Sequence, residues 1–482
     1  CTIFTATESW MEKDLLWSGS DDGLIHVSKD GGNNWENVTP KDAPKWIMWN
    51  SVEVDPFKKG AAYFAGTRYK LDDFKSYIYK TEDYGKTWKL ITNGIPALHF
   101  TRVVRADRKK QGLLYAGTEY GMYISYDDGA SWKSFQLNLP VVPITDLTIK
   151  NNDLVAGTQG RSIYILDDLT VVQQKSADKT NKNLHVFDVN PAYRMAAGGG
   201  RFGGFGAALT NVGMNPPNGV VINYFVKNVT DSTKLSIEML DKNRKTIKTF
   251  STSSKENKIE VNKGMNKFVW DMNYPVAEKV DGLILWNGFV GGPKAAPGQY
   301  FAKLKSGNDS AEISYTIVAD PNYKISQAEY EEQFNHLITV RDKFSEVMKA
   351  LKNISEIRQQ MNDFSSRTGK DMPKEIKQQI DTINKQMTAV EEALHQTKAK
   401  SGQDVLNFPI RLDDKISGVY DAAAAGQAAP SKQAKEAYAD LASLTDVQLN
   451  KLKKIISEDV AKLNQLIHEK TVPVIGLKKE KE

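Results

Sequence analysis

One short motif occurs three times early in the chain, with the pattern Ser/Thr-x-Asp-x-Gly-x-x-Trp. The copies are SKDGGNNW (Ser28–Trp35), TEDYGKTW (Thr81–Trp88) and SYDDGASW (Ser125–Trp132). The pattern predicts a tight corner between two strands, because aspartate accepts hydrogen bonds from the amides of its own turn and glycine tolerates positive φ. Each tryptophan is expected to fold back against the sheet as a large apolar side chain. The residues predicted to be structural are Asp30 and Trp35, Asp83 and Trp88, and Asp127 and Trp132.

A wider frame surrounds the motif, and it repeats once more than the motif does. The segments WSGSDDG, FAGTRYK and YAGTEYG precede the three copies, and VAGTQGRSIYILDD keeps the frame without the motif. The repeated glycines Gly19, Gly66, Gly117 and Gly157 are 47, 51 and 40 residues apart. Periods of this length, filled with short strands and turn residues, are typical of β-propeller blades. Residues 1–172 are therefore predicted to form propeller blades.

The repeated motif resembles the Asp-box, or BNR, repeats of sialidases, of xyloglucanase-type glycoside hydrolases and of sortilin/Vps10 propellers. The resemblance implies a propeller fold. It implies nothing about chemistry, because in those proteins the boxes lie at blade corners, away from the face that binds ligands. Four repeats are few for a closed propeller, so further blades are expected upstream of residue 1.

Composition excludes several classes of function. A net charge of +5 over 482 residues, without a basic cluster beyond the C-terminal tail, does not predict nucleic-acid binding. No stretch approaches the roughly 20 apolar residues that cross a bilayer. The six histidines are scattered and have no metal-ligand spacing, so neither a metal nor a cofactor is expected.

The single cysteine, Cys1, has two interpretations. It could carry the lipid of a mature bacterial lipoprotein, which would associate the chain with an outer membrane. The favoured interpretation is that the chain begins inside a longer protein, because the strand-like sequence CTIFTATES starts at once, without a flexible tether.

The remainder of the chain changes character twice. Residues 173–219 form a polar linker and a glycine-rich loop. Residues 220–320 contain seven short strand-like runs and predict an immunoglobulin-like sandwich, resembling the FlgD-like domains of secreted bacterial proteins, with Trp270 in its core. Residues 325–470 show helical periodicity, and a capping box at Ser326–Glu329 opens the first helix. They predict an antiparallel helical bundle. The apolar stripes of its helices would be buried within the bundle or presented to a partner. Residues 471–482 form a charged tail. The predicted fold class is multidomain, mainly β with an α-helical C-terminal domain.

The order of propeller, sandwich and helices resembles a family of large exported proteins of Bacteroidota. Members carry sortilin-like or BNR-type propellers and are often labelled glycosyl hydrolases on that basis. This chain looks like the C-terminal part of such a protein. The resemblance implies a location in the periplasm, outer membrane or extracellular space of a Gram-negative bacterium, and gives no established reaction.

Two groups of residues are candidates for function. Glycoside hydrolysis needs two carboxyl groups that flank a cleft, and Asp21 and Asp22 in GSDDG faintly resemble the region of a catalytic aspartate in xyloglucanase-type propellers. Acidic turn residues are also common as caps, so these two aspartates are only an alternative catalytic site. Trp46, Trp49 and Tyr69 could form an aromatic patch that binds sugar rings or a protein. The competing interpretation is that they are blade core.

The preferred prediction is a non-catalytic binding or scaffold protein of the bacterial cell envelope. Its partners would be other envelope proteins or a glycan. The first alternative is an exported glycoside hydrolase that acts on polysaccharide. The second alternative is a sortilin-like peptide receptor. A hydrolase predicts two carboxylates facing each other across a cleft, a scaffold predicts exposed apolar or aromatic side chains, and a receptor predicts a wide tunnel.

Overall fold

A computed structural model describes residues 1–174, 182–195 and 215–472. The chain divides into two compact units, Cys1–Asn181 and Lys182–Glu482. Most of the expected glycine-rich loop and of the charged tail lies outside the described residues. Among the described residues, no helix combines the length and the apolar character needed to cross a membrane.

The first unit contains four antiparallel sheets, each a meander in which strands that are consecutive in sequence are hydrogen-bonded neighbours. The first sheet comprises β1 (Ile3–Glu8), β2 (Leu16–Ser20), β3 (Ile25–Ser28) and β4 (Glu36–Asn37). The second comprises β5 (Met48–Val54), β6 (Ala62–Arg68), β7 (Asp73–Thr81) and β8 (Lys89–Leu90). The third comprises β9 (Thr101–Ala106), β10 (Leu114–Thr118), β11 (Gly121–Ser125) and β12 (Lys133–Ser134). The fourth comprises β13 (Ile144–Lys150), β14 (Asp153–Thr158) and β15 (Ile163–Leu166), followed by the short helix α1 (Thr170–Gln173).

Adjacent sheets pack face to face, as the blades of a propeller do. The first strands β1, β5, β9 and β13 lie side by side, and three apolar clusters fill the spaces between successive sheets. The repeated glycines permit this close approach. A Cβ atom added at Gly19 would lie 2.7 Å from the Cβ of Trp49, and one at Gly117 would lie 2.8 Å from Ile144. At Gly157, in the fourth sheet, the nearest atom would be 3.7 Å away.

The meander sorts the connections of the first unit onto two opposite faces. Successive strands run in opposite directions, so the β2–β3, β6–β7 and β10–β11 hairpins emerge at the same end of the sheets as the links from one sheet to the next. We name this end the pocket face. The hairpins that carry the repeated motif, β3–β4, β7–β8 and β11–β12, emerge at the opposite end, named the motif face.

The second unit begins with two sheets that share one core. The strands are β16 (Leu184–Val186), β17 (Ala192–Arg194), β18 (Val220–Val226), β19 (Leu235–Leu240), β20 (Thr246–Ser251), β21 (Gly264–Trp270), β22 (Gly298–Ser306) and β23 (Asp309–Ala319). One sheet has the order β16-β18-β21 and the other β17-β23-β22-β19-β20. Trp270 is fully buried in the cluster that both sheets contribute to. Alternating apolar side chains along β18 and β22 supply much of the rest.

A helical region follows within the same unit. Its helices are α2 (Gln327–Thr368), α3 (Lys374–Leu394), α4 (Leu412–Ala424), α5 (Lys432–Lys454) and α6 (Ala461–Glu469), and a π-helical segment (Ile455–Val460) joins the last two. The predicted capping box opens α2: Ser326 accepts a hydrogen bond from the Glu329 amide, and Glu329 accepts one from the Ser326 amide at 2.9 Å. The apolar stripes of these helices meet in one cluster, which also takes in Ala277 and Val290 from the β21–β22 connection.

Candidate binding site on the pocket face

A pocket of about 480 Å³ opens on the pocket face, between the first and second sheets. Its lining residues come from the start of β1, the β2–β3 hairpin, the link into β5 and the β6–β7 connection. They are Cys1, Phe4, Asp21, Asp22, Trp46, Met48, Thr67, Arg68, Tyr69, Lys70 and Leu71. Two of the three predicted aromatic residues and both predicted aspartates thus lie in one pocket.

Trp46 is the most exposed aromatic side chain of the pocket, at 64%. Its backbone adopts a left-handed conformation with φ of 63°, which is rare and strained for a bulky residue. The neighbouring Ile47 is fully buried, and its amide donates to the Pro44 carbonyl at 3.3 Å. Gly23 packs directly beneath, because a Cβ atom there would lie 3.2 Å from the Trp46 nitrogen. The fold therefore holds Trp46 outward at a cost in backbone strain and in exposed apolar surface.

Tyr69 forms a second, pre-positioned aromatic surface. It opens a short 3₁₀ turn (Tyr69–Leu71) at the end of β6. Its ring stacks on Phe100 with a centroid distance of 5.2 Å and an interplanar angle of 16°. The Arg102 guanidinium lies 5.6 Å from the Tyr69 ring and is paired with Glu119 at 2.6 Å. Backing by Phe100 fixes the orientation of a ring that also lines the pocket.

Trp49, the third member of the predicted aromatic patch, is not on the surface. It is fully buried and packs edge-to-face on Phe64 and Tyr79, with centroid distances of 5.9 and 5.7 Å. The reason is register: Trp49 lies within β5 with its side chain directed into the space between sheets, whereas Trp46 precedes the strand. For Trp49 the blade-core interpretation therefore holds.

The two pocket aspartates are adjacent in sequence and lie on the same hairpin. Asp21 accepts a hydrogen bond from the Thr2 amide at 2.7 Å, and Asp22 accepts one from the Cys1 thiol at 2.8 Å and another from Ser20. Both carboxylates thus bind backbone or side-chain donors of the first sheet. They do not face each other across the pocket.

Arg68, one of the two cations that line the pocket, is held by contacts within the protein. Arg68 pairs with Asp73 at 3.2 Å and donates to the Lys45 carbonyl at 3.0 Å. Burial acts to raise the pKa of Asp73, but hydrogen bonds from Tyr77, from the Lys75 amide and from Arg68 outweigh it and hold this pKa below its ordinary value. Arg68 is thereby neutralised within the protein.

Sequence reasoning missed several exposed apolar residues on this face. Phe4 and Leu71 line the pocket and are 50% and 52% exposed. Tyr120, in the hairpin equivalent to that of Asp22, stacks on His99 with a centroid distance of 4.7 Å. The signal that could have revealed Leu71 and Tyr120 is their position in the β6–β7 and β10–β11 connections, at the same end of their sheets as the hairpin that holds Asp21 and Asp22.

The repeated motif forms nearly the same hydrogen bonds in all three copies. The aspartates Asp30, Asp83 and Asp127 accept from the amide four residues later, at 2.9, 2.9 and 2.8 Å. The Ser or Thr at the first position accepts from the glycine amide four residues on, at 2.8, 2.9 and 2.9 Å. The carboxylates of Asp30, Asp83 and Asp127 therefore stabilise their own turns.

The motif tryptophans do not all fold back to the same extent. Trp132 is 3% exposed and its indole donates to the Ile91 carbonyl at 2.7 Å, while that of Trp88 donates to the Val38 carbonyl at 2.6 Å. Each thus bonds to the chain segment that follows the preceding sheet. Trp35, in the first sheet, is 45% exposed and bonds to Gly32 in its own turn at 3.1 Å.

Comparison with known families supports the propeller fold of the first unit. Residues 23–184, about a third of the chain, match the model of the Sortilin-Vps10 family, described as sortilin, neurotensin receptor 3. No curated protein gives a significant match. The first unit is accordingly a sortilin-like β-propeller region, in a chain that is mainly β with a helical C-terminal part.

Several solved structures are similar to parts of the chain. YCF48 bound to a D1 peptide is 20% identical, with a TM-score of 0.28, over 34% of this chain and 52% of that one. YCF48 from Cyanidioschyzon merolae is 17% identical, with a TM-score of 0.27, over 34% of this chain and 53% of that one. The chain thus spans about half the length of the YCF48 structures. The GH74 xyloglucanase from Xanthomonas campestris is 12% identical, with a TM-score of 0.29, over 64% and 45% of the two chains. Similarities this low carry no inference about activity.

Proposed function

We propose that this chain is a non-catalytic recognition protein that binds a glycan in the pocket between the first and second sheets. The observation that carries the proposal is the conformation of Trp46. Its large apolar side chain is exposed and its backbone is strained, and both features cost free energy. Strain of this kind costs on the order of 1–3 kcal/mol and persists where surrounding structure imposes it, often at ligand sites. A pocket with aromatic walls and a few polar groups is typical of sites for small ligands.

Glycan chemistry matches the lining of the pocket. Sugar rings present flat C–H faces, which stack on indole and phenol rings such as Trp46 and Tyr69. Their hydroxyl groups donate hydrogen bonds, and the carboxylates of Asp21 and Asp22 can accept them. With two aspartates against Arg68 and Lys70, and Arg68 itself paired with Asp73, the pocket lacks the strong excess of one charge that a highly charged ligand would require.

The arrangement of the acids supports binding over hydrolysis. Glycosidases place two carboxyl groups on opposite sides of the scissile bond, about 5–9.5 Å apart. Asp21 and Asp22 instead project from one turn, and both are hydrogen-bonded within the first sheet. This position favours a role in orienting a ligand.

A protein ligand is the second candidate, because aliphatic side chains are exposed elsewhere on the same face. Leu98, Leu137 and Val141, in the links into the third and fourth sheets, are 66%, 64% and 71% exposed. Such side chains suit the surface of another envelope protein better than a sugar.

The wider interpretation rests on the resemblance to large exported proteins. We place the chain in the periplasm, outer membrane or extracellular space of a Gram-negative bacterium of the Bacteroidota, as the C-terminal part of a longer propeller protein. The two-sheet region would be an immunoglobulin- or FlgD-like spacer. The helices would be an antiparallel bundle that packs on its own chain or on a partner.

The test compares Trp46→Gly with Trp35→Ala in a glycan-array and affinity-electrophoresis screen. Glycine relieves the left-handed backbone strain, so W46G should melt at the same temperature as wild type or higher, while glycan affinity falls by about tenfold or more. W35A removes an equally large exposed indole from the motif face and should bind as wild type does. Binding that survives W46G, or release of reducing sugar from a bound polysaccharide, would overturn the proposal.

A further inference from the structure

Aromatic rings continue from the pocket along the pocket face to the third sheet. Tyr69 lines the pocket and stacks on Phe100, with a centroid distance of 5.2 Å. Tyr120 stacks on His99, with a centroid distance of 4.7 Å. His99 and Phe100 are consecutive residues, so their Cα atoms lie about 3.8 Å apart. The two phenol rings therefore rest on adjacent positions of one chain segment. We name these four residues the aromatic track.

The β10–β11 hairpin holds Tyr120 at the surface in a defined conformation. The Tyr120 amide donates to Thr118 Oγ1 at 3.1 Å, and the Thr118 hydroxyl donates to the Gly121 carbonyl at 2.9 Å. Gly121 has a φ of 114°, and a Cβ atom there would lie 2.0 Å from Gln136. The tight corner thus depends on glycine. It presents a phenol ring that is 48% exposed.

His99 is an ordered and uncharged support for the Tyr120 ring. Its Nδ1 atom lies 2.8 Å from the Tyr123 hydroxyl oxygen, and its carbonyl accepts a hydrogen bond from the Ser76 hydroxyl at 2.6 Å. Burial lowers the pKa of His99 below its ordinary value, so the imidazole is neutral near pH 7. A ring that is already fixed in place loses little conformational entropy when a ligand stacks on it.

An ion pair links the two ends of the aromatic track. The Arg102 guanidinium lies 5.6 Å from the Tyr69 ring, and its partner Glu119 is the residue before Tyr120. Arg102 Nε and Nη2 both contact Oε2 of Glu119, at 2.7 and 2.6 Å, so the contact uses one oxygen of the carboxylate. The two side chains are 18% and 26% exposed, and they can exchange hydrogen bonds with hydroxyl groups of a ligand. Because the pair has no net charge, it favours an uncharged ligand.

We propose that the aromatic track extends the pocket, and that the ligand is an internal stretch of a linear, uncharged polysaccharide. This inference rests on the proposed function and adds the length and charge of the ligand. Successive sugar rings would stack on Trp46, Tyr69 and Tyr120. Hydroxyl groups between the two phenols would bond to Arg102 and Glu119. A monosaccharide or a terminal sugar needs only the pocket, whereas the exposed ring of Tyr120 contributes only to a ligand that continues beyond it.

The experiment titrates the full chain, by calorimetry, with two series of β-1,4-linked oligosaccharides, one of mannose and one of N-acetylglucosamine. Each series runs from the single sugar to the octamer. Wild type should gain affinity when the pocket is filled, and again by about tenfold when the chain is long enough to reach Tyr120. Tyr120→Ala should remove the second gain and leave the affinity for short members unchanged. Tyr120→Phe keeps the ring and should bind as wild type does.

The matched control is Tyr126→Ala, which removes a ring that is 38% exposed at the motif face of the same sheet. It should leave all affinities unchanged, and circular dichroism checks that each variant is folded. Equal affinities for short and long members, or an unchanged affinity of Y120A for the octamer, would exclude the aromatic track while the Trp46 pocket remained. A loss in Y120A that is the same at every length would exclude a separate position for Tyr120. If folded wild type bound neither series, the proposed function would fail together with the track.

Discussion

At the scale of single residues, Glu53 on β5 is a largely buried ionisable group outside the pocket. Its side chain is 14% exposed and lies 3.8 Å from Arg105 on β9. Burial raises the pKa of Glu53 to about 7, although Arg105 and the Ala106 amide act to lower it. An unfolded glutamate titrates near pH 4.3. Because the folded pKa is the higher one, stability from this group is fully present below about pH 4.3 and is lost as pH rises through 7.

Glu53→Gln should therefore change the pH dependence of the first unit. At pH 4 the variant and wild type should unfold at similar temperatures, since Glu53 is protonated in the folded state and largely protonated in the unfolded state. At pH 8 the variant should be more stable by on the order of 1–3 kcal/mol, because it has no buried charge to accommodate. Calorimetric melts at the two pH values measure this. A difference that did not grow with pH would contradict the assignment, and Glu36→Gln, at an exposed position, provides the control.

The residue scale also shows where prediction from sequence reaches its limit. Trp46 and Trp49 lie three residues apart in one aromatic segment, and composition treats them alike. The structure exposes Trp46 and buries Trp49. Trp46 itself has a left-handed backbone and precedes β5, whereas Trp49 lies within the strand. A left-handed conformation at a bulky non-glycine residue has no reliable sequence signal. Pocket partners such as Phe4 come from a different sheet edge, which only the packed fold brings into position.

At the scale of elements, the repeated motif predicts its local turn well and its tertiary contacts poorly. The Asp and Gly positions determine hydrogen bonds within eight residues, and all three copies form them. Burial of the tryptophan depends instead on a preceding sheet, against which Trp88 and Trp132 bond. The capping box of α2 was equally predictable, because Ser326 and Glu329 are neighbours in sequence.

This difference predicts unequal costs for the same substitution. Trp132→Ala removes a side chain that is 3% exposed and its bond to Ile91, so it should lower the free energy of unfolding by about 3–5 kcal/mol. Trp35→Ala, at a position that is 45% exposed, should cost less than about 1 kcal/mol. Thermal melts of both variants measure the two losses of stability. Equal losses would mean that the turn, rather than contact with the preceding sheet, accounts for the stabilisation.

At the scale of the whole molecule, the sheets and the helices of the second unit are tied together by buried polar contacts. Arg194 of β17 is 5% exposed and donates to Gln333 of α2 at 3.3 Å, to Gln427 at 3.0 Å and to the Ala295 carbonyl at 3.0 Å. Asp414 of α4 accepts from two backbone amides of the β21–β22 connection, both at 2.8 Å. Periodicity predicts the long helices and most strands after residue 220, but β17 lies in the segment 173–219, which the sequence predicts as a linker. Periodicity also gives no indication that these elements share one compact unit.

Arg194→Met should therefore destabilise sheets and helices together. The change removes a donor from three buried acceptors, of which Gln427 keeps a 3.4 Å hydrogen bond from the Tyr330 hydroxyl. Each acceptor left unpaired costs about 1–3 kcal/mol, although methionine retains part of the contact with the Tyr330 ring. Hydrogen exchange followed by mass spectrometry should show protection lost in β17–β23 and in α2–α4 alike, with β1–β15 of the first unit unchanged. Arg244→Met, at a residue whose side chain is 61% exposed and pairs with Glu312, should change protection little. Loss confined to the helices would mean that they unfold independently of the sheets, and that Arg194 stabilises the helices without coupling the two.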